Sequence, residues 1–251
     1  MSGKLTWSHY VELVGISDDL EMNFYYHQAI EENWGIRELK RQKAAALFLM
    51  LAASKDKSEI LKLTEKGRII EKSSDAVKDI YVLEFLKISE ASHYSESDLH
   101  KRILENIKPF LLELGKGFTY VGEKYRIPVG ADIYEADLVF YHRILRCFVL
   151  IDLKVNEVKH YDIGQMNMYL GYFANEVNEE SDNPPIGIIL TRDKNNLLVE
   201  YATYEMNSQL FVSKYQLYLP DKDELRRLIH ENFGVPETAR GDRGFPCFAA
   251  Q

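Results

Sequence analysis

Cysteine is nearly missing from this chain of 251 residues. Its two cysteines, Cys147 and Cys247, stand far apart, which excludes a disulfide framework and a cysteine-based zinc site. No apolar run reaches the roughly 18 residues of a transmembrane helix. The opening M-S-G-K-L-T-W-S-H-Y lacks the apolar segment of a secretion signal. A reducing, cytoplasmic location with no membrane partner is therefore expected. Excess positive charge is missing too: the formal net charge is -8. No global basic field is available, so a nucleic acid would have to be held by local patches. Proline does not occur before Pro109, so the first part of the chain has few helix breakers. What remains is an ordinary globular composition, 46% hydrophobic and 28% charged, without repeats or low-complexity tracts.

Residues 5 to about 90 read as helical throughout. Ile36, Leu39, Lys43, Ala46, Leu47 and Met50 recur at three- and four-residue spacing, with Lys43 the one polar exception. Y-V-L-E-F-L-K-I from Tyr81 reads as a short apolar helix or turn. The polar stretch S-E-A-S-H-Y-S-E-S-D ends this part, which predicts a helical N-terminal domain over 1–95 and a second domain over 96–251. S-E-S-D-L then starts a helix that stops at Gly115. From there the period becomes two, and strands are predicted at 117–127, 131–142 and 146–155. A helix follows around Tyr161 to Asn175, then a buried strand at 186–190. L-L-V-E-Y-A-T-Y, 197–204, is read as a further sheet element. A surface helix is expected from Asp221 to Asn232, with a loose tail after Gly234. The second domain is thus an α/β unit with an α-β-β-β-α-β order.

The third strand, C-F-V-L-I-D-L-K-V, raises a question of chemistry. It is apolar, yet it carries Asp152 and Lys154. Residues two apart on a strand share a face, so these charges project together. A short turn joins this strand to the previous one, so the two are expected to pair antiparallel and bring Asp137 near Asp152. Two carboxylates can hold Mg²⁺, which prefers oxygen ligands. An ion held there lowers the pKa of a water and stabilises phosphoryl charge, and a lysine beside it can orient that water. The bland alternative is a solvated face on which Asp137 is an ion-pair partner.

At these residues the chain resembles the YhcG-type nucleases, a branch of the PD-(D/E)XK, restriction-endonuclease-like superfamily. The likeness is dense from Leu99 to about Leu219, through F-L-L-E-L-G-K-G-F, V-G-E-K-Y-R-I, D-L-V-F-Y-H, L-R-C-F-V-L-I-D-L-K, G-Q-M-N-M-Y-L and N-P-P-I-G-I-I-L. It extends into the helical part through W-S-H-Y, N-W-G-I-R-E-L and Y-V-L-E-F-L. The resemblance implies a mixed sheet flanked by helices and a Mg- or Mn-dependent nuclease acting on DNA. It implies that Asp137 and Asp152 hold the metal together with the Leu153 carbonyl, and that Lys154 serves the water. It further implies that Gln165 and Tyr169 form a Q-x-x-x-Y pair at the site. Relatives usually carry Glu at the position of Asp152, and some carry a Glu on the first helix where this chain has His100, with Glu105 five residues on.

Other features carry less. His142, Arg143 and Arg146 form a basic turn, and Arg37, Lys40, Arg41 and Lys43 a basic helical run. Each could face phosphates or simply face water. Cys147, inside a strand, reads as a buried small residue. The expected function is metal-dependent phosphodiester hydrolysis in repair, recombination or defence, by a homodimer or a larger nuclease assembly. The competing expectations are a weakly active or inactive DNA-binding subunit, and an interaction scaffold in which the three charges are an ion network.

Overall fold

The computed structural model describes residues 4–53, 57–67, 70–89, 93–204, 206 and 209–233. The expected loose tail and Cys247 lie outside them. The chain divides into two compact units. One is Met1–Ile69 with the segment that begins at Leu219, and the other is Ile70–Tyr218.

The first unit contains α1 (Trp7–Val14), α2 (Asp19–Glu31), α3 (Ile36–Ala44), α4 (Leu47–Ala53) and α5 (Lys57–Lys66), with a last helix at Lys222–Phe233. Asp18 starts α2 by accepting the Glu21 N–H at 2.7 Å, which satisfies a donor the helix itself leaves open. The core is apolar, around Phe24, Leu39 and Leu49. The buried Tyr25 hydroxyl is satisfied: it donates to the Gln42 carbonyl at 3.2 Å and accepts from the Phe48 N–H at 3.3 Å.

The second unit holds α6 (Ser73–Ala76), β1 (Ile80–Val82), a 3-10 turn (Glu84–Leu86), α7 (Glu96–Glu105) and α8 (Ile107–Leu114). Then come β2 (Phe118–Val129), β3 (Asp132–His142), β4 (Cys147–Lys154) and α9 (His160–Tyr172), which a π turn at Phe173–Val177 continues. β5 (Ile186–Thr191), α10 (Asn196–Ala202) and β6 (Gln209–Gln216) complete it. The six strands form one mixed sheet in the order β1-β6-β5-β4-β3-β2. The β2–β3–β4 part is antiparallel, and β4, β5, β6 and β1 run parallel.

Alternation of side chains decides what each face covers. Val149, Ile151 and Leu153 of β4 pack with Leu99 and Ile103 of α7 and Phe110 of α8. Leu150 of the same strand packs on the other face, with Ile163, Met166 and Tyr169 of α9. Asp152 and Lys154 share the parity of Leu150 and so belong to the α9 face. Helices on both sides of the sheet explain the unbroken apolar run of β5, which is buried over its whole length.

Three expectations are corrected. The segment expected as a short helix or turn begins as strand and turns only at Glu84–Leu86: β1 pairs with β6 through Tyr81↔Tyr215, and the Glu113 carboxylate accepts from both the Val82 N–H and Lys78 Nζ at 3.0 Å. For that reason the sheet unit starts at Ile70 and not at 96. Residues 197–204 are mainly helix, started by the Asn195 side chain accepting from the Leu198 N–H at 3.2 Å. The far strand of the sheet is instead β6, whose partner β1 comes from a distant part of the chain.

Gly187 sets how closely α9 approaches the sheet. A Cβ there would lie 2.7 Å from Met166 Cγ and 3.1 Å from Leu170 Cδ1. Gly187→Ala is therefore expected to lower stability by about 1–3 kcal/mol, the usual cost of overpacking. Urea unfolding measures it, and an unchanged midpoint would mean that α9 has room to spare.

Candidate active site

The candidate site forms where β3 and β4 part. Their ladder runs from His142↔Cys147 to Leu138↔Ile151 and ends there. On β3, Tyr134, Ala136 and Val139 all pack on the α9 face, so the two-residue alternation slips at Asp137–Leu138. The β2 side is irregular at the same place. Its register shifts between Tyr120 and Gly122, and Lys124 has a positive φ of 46°. Released from regular pairing, the Asp137 carboxylate accepts the Leu153 N–H at 2.8 Å. On its other side the Asp137 carbonyl accepts from His100 Nε2 of α7 at 3.1 Å. His100 thus braces the backbone of this aspartate.

Asp152 is buried, with 6% exposure. Its carboxylate meets Lys154 Nζ at 2.8 Å. Burial first, and then the charge of Asp137, push its carboxyl up to about 6, against the opposing pull of Lys154. For Lys154, burial works against the charge. The attraction of Asp152, Glu96 and Asp162 outweighs it, so the ammonium sits above the usual lysine range. Nζ lies 3.8 Å from the Asp162 carboxylate and 3.9 Å from that of Glu96. The lysine thus faces three acids.

Gln165 and Tyr169 lie one turn apart on α9 and are joined: the Gln165 amide donates to the Tyr169 hydroxyl. That hydroxyl donates in turn to the Glu135 carbonyl of β3 at 3.1 Å. Burial, and then the nearby Asp152, raise the pKa of Tyr169 even though the Gln165 bond lowers it. The pair ties α9 to β3 beside Asp137. The expected residues Asp137, Asp152, Leu153, Lys154, Gln165 and Tyr169 are thus gathered in one place.

Two acids at this site, Asp162 and Glu96, were not foreseen. Asp162 belongs to the first turn of α9, where its Oδ2 accepts the Lys159 N–H at 2.8 Å while Oδ1 faces Lys154. Its spacing to Gln165 and Tyr169, three and seven residues, places all three on one helix face and was a usable signal. Glu96 precedes His100 by one turn of α7, which was equally visible. Glu105 is exposed at the end of α7 and, among the described residues, has no hydrogen bond or ion pair to this site.

The donors suit a hard divalent ion. Asp137 and Asp152 present carboxylate oxygens from adjacent strands, and Leu153 adds a carbonyl between Asp152 and Lys154. Among the described residues no group of three or more His, Cys, Asp or Glu side chains forms a metal cluster. Mg²⁺ needs few protein ligands because it keeps several waters. The repulsion that raises the Asp152 pKa is what a cation between the two carboxylates would relieve.

The other basic features lie elsewhere. His142 is buried at the opposite end of the hairpin: it bonds the Lys116 carbonyl and the Leu145 N–H, both at 3.1 Å, and packs edge-on against Phe118. It stabilises the turn and does not face solvent. On α3, Arg41 pairs with Glu38 at 2.9 Å and Lys43 with Glu12 at 2.8 Å, with Lys40 3.7 Å from Glu12. Acids thus neutralise most of the basic run. Burial pushes the Cys147 thiol up to about 11, which keeps it unreactive.

Known proteins were compared with this chain. The profile of the YhcG PDDEXK nuclease domain matches residues 74–230, and that of the DUF1016 N-terminal domain matches residues 1–49. YhcG of Escherichia coli (strain K12) is 34% identical over 218 residues, which cover 87% of this chain and 58% of that protein. The chain therefore spans little more than half the length of this relative. Among solved structures, a repair endonuclease from Pyrococcus abyssi aligns with a TM-score of 0.36 at 21% identity, over 53% of this chain and 50% of that one. EndoMS in complex with dsDNA aligns with a TM-score of 0.34 at 16% identity, over 54% and 51%. The match to the nuclease domain covers most of the chain, sheet and candidate site included, so the chain belongs to the YhcG PDDEXK nuclease family.

Proposed function

We propose that this chain is a divalent-metal-dependent nuclease that hydrolyses phosphodiester bonds of DNA, with Mg²⁺ or Mn²⁺ as the ion, in repair, recombination or defence. The observation that carries this reading is the buried Asp152 beside Asp137. Burial, and then the charge of Asp137, make the Asp152 charge costly and hold its carboxyl up to about 6. A fold retains such a pair at a loss of stability when function requires it.

Asp137 and Asp152 hold the ion, with the Leu153 carbonyl as a further ligand. When bound, the ion lowers the pKa of a water and stabilises charge on the phosphoryl group. Lys154 acts as a cation: Asp152, Asp162 and Glu96 keep it protonated. It therefore orients the attacking water and neutralises developing charge; it does not accept the proton. Tyr169 has both its hydrogen bonds engaged and a raised pKa. With Gln165 it positions α9 and β3.

Asp137→Asn and Asp152→Asn are expected to abolish cleavage, and Lys154→Ala to reduce it by about 100- to 1000-fold, the loss typical of one charge-stabilising group. Linear, circular, single-stranded and branched DNA with Mg²⁺ or Mn²⁺ form the assay. Full cleavage by both aspartate variants would refute the reading. DNA retention in a gel shift without cleavage at any metal would favour a binding subunit.

The folded-state pKa of Asp152, about 6, lies above the ordinary 3.8. Between these values the folded protein binds the extra proton, so its stability falls as pH rises through this window and remains lower above it. In metal-free buffer Asp152→Asn is thus expected to be more stable than the wild type above about pH 7, on the order of 1–2 kcal/mol, and equal to it near pH 4. Added Mg²⁺ should raise the melting temperature of the wild type and leave that of the variant nearly unchanged. A variant that melts lower at neutral pH would argue against repulsion at this pair.

A further inference from the structure

Beside the candidate site lies a cavity of about 920 Å³. It opens where the parallel strands β4, β5 and β6 end: Val155, Asn156 and Glu157 follow β4, Arg192 and Asp193 follow β5, and Leu217 and Tyr218 follow β6. The carboxyl ends of parallel strands are where open α/β sheets bind ligands, because the loops diverge there. Glu96, in the cavity wall, is also 3.9 Å from Lys154 Nζ. Whatever occupies the cavity therefore adjoins whatever is bound at Lys154.

The walls suit a nucleotide. Tyr94 and Tyr218 provide aromatic rings, and ring faces stack on bases of any sequence. The Tyr94 hydroxyl is anchored 3.0 Å from that of Tyr215. Arg192 and Lys214 line the cavity, and among the described residues neither has an ion-pair partner. Glu96, Glu157 and Asp193 share the same walls, so the cavity does not attract free phosphate on charge alone. A base must contribute. Duplex DNA shows only base edges in its grooves, and a helix of that width cannot enter a space of this size. A nucleotide without a pairing partner can.

We propose that this cavity holds unpaired nucleotides of the DNA strand beside the bond to be cut, so that the protein selects DNA with a gap or bulge over intact duplex. The assignment rests on the DNA-cleaving reading above and names the substrate class of that site. Fluorescence anisotropy with the full chain in metal-free buffer separates the two. The probes are an intact duplex and the same duplex carrying a short bulge. The wild type is expected to bind the bulged DNA about tenfold tighter, the size of one base–aromatic stacking contact. Arg192→Gln/Lys214→Gln and, separately, Ser97→Trp, which fills the cavity without removing charge, should erase the preference, and Ser97→Trp should leave intact-duplex binding unchanged. Equal affinity of the wild type for both probes, or a preference that both variants keep, overturns the assignment. If the preference depends on these residues and no DNA is cut at any metal, the cavity stands and the cleavage reading falls.

Discussion

The hydrogen bond from the Leu153 N–H to the Asp137 carboxylate joins β3 and β4 where their backbone ladder has ended. A strand that leaves its neighbour in a buried sheet exposes amide groups that must find partners. Here the side chain of Asp137 takes the place of a backbone carbonyl. The bond holds the Asp137 carboxylate next to the residue that follows Asp152. His100 from α7 and Tyr169 from α9 bond the β3 backbone on either side of the same break. The helices that cover the two faces therefore also set the position of one aspartate.

The electrostatics follow from this placement. Acids outnumber the lysine at the site, and the burial of Asp152 and Asp162 keeps water from screening their charges. The lysine is stabilised by its neighbours, whereas Asp152 is penalised by burial and by Asp137. A hydrophobic residue at 152 would fit the strand better. The carboxylate is thus a cost in stability, borne by an otherwise well-packed sheet in which β4 and β5 are buried nearly throughout. The two halves of the sheet divide the work. The antiparallel hairpin supplies Asp137, and the parallel strands end at the cavity beside Lys154.

Apolar periodicity made the helices of the first unit and strands β2 to β5 legible, because burial on one face or both writes itself into local spacing. Asp152 and Lys154 could be assigned to one face from their spacing alone, and the short turn before β4 brought Asp137 into reach of them. The spacing of Asp162, Gln165 and Tyr169 was local too, and Asp162 was overlooked only because its role lies in space, at Lys154. β1 and α10 were misread for opposite reasons. β1 is a three-residue strand whose pairing partner and carboxylate anchor are distant in sequence. α10 has the aromatic and β-branched texture of a strand, and its Asn195 cap decides for helix.

The sequence by itself determined strands β2 to β5, the helices between and before them, and the charged pair within a core strand, since each depends on residues within a few positions of one another. The tertiary structure alone decided the slip of β3 at Asp137, the bracing role of His100, the pairing of Glu12 with Lys43 and the cavity at the ends of β4, β5 and β6. Each of these depends on which backbone groups lose a partner, or which charges meet, when distant segments pack, and no local pattern encodes that.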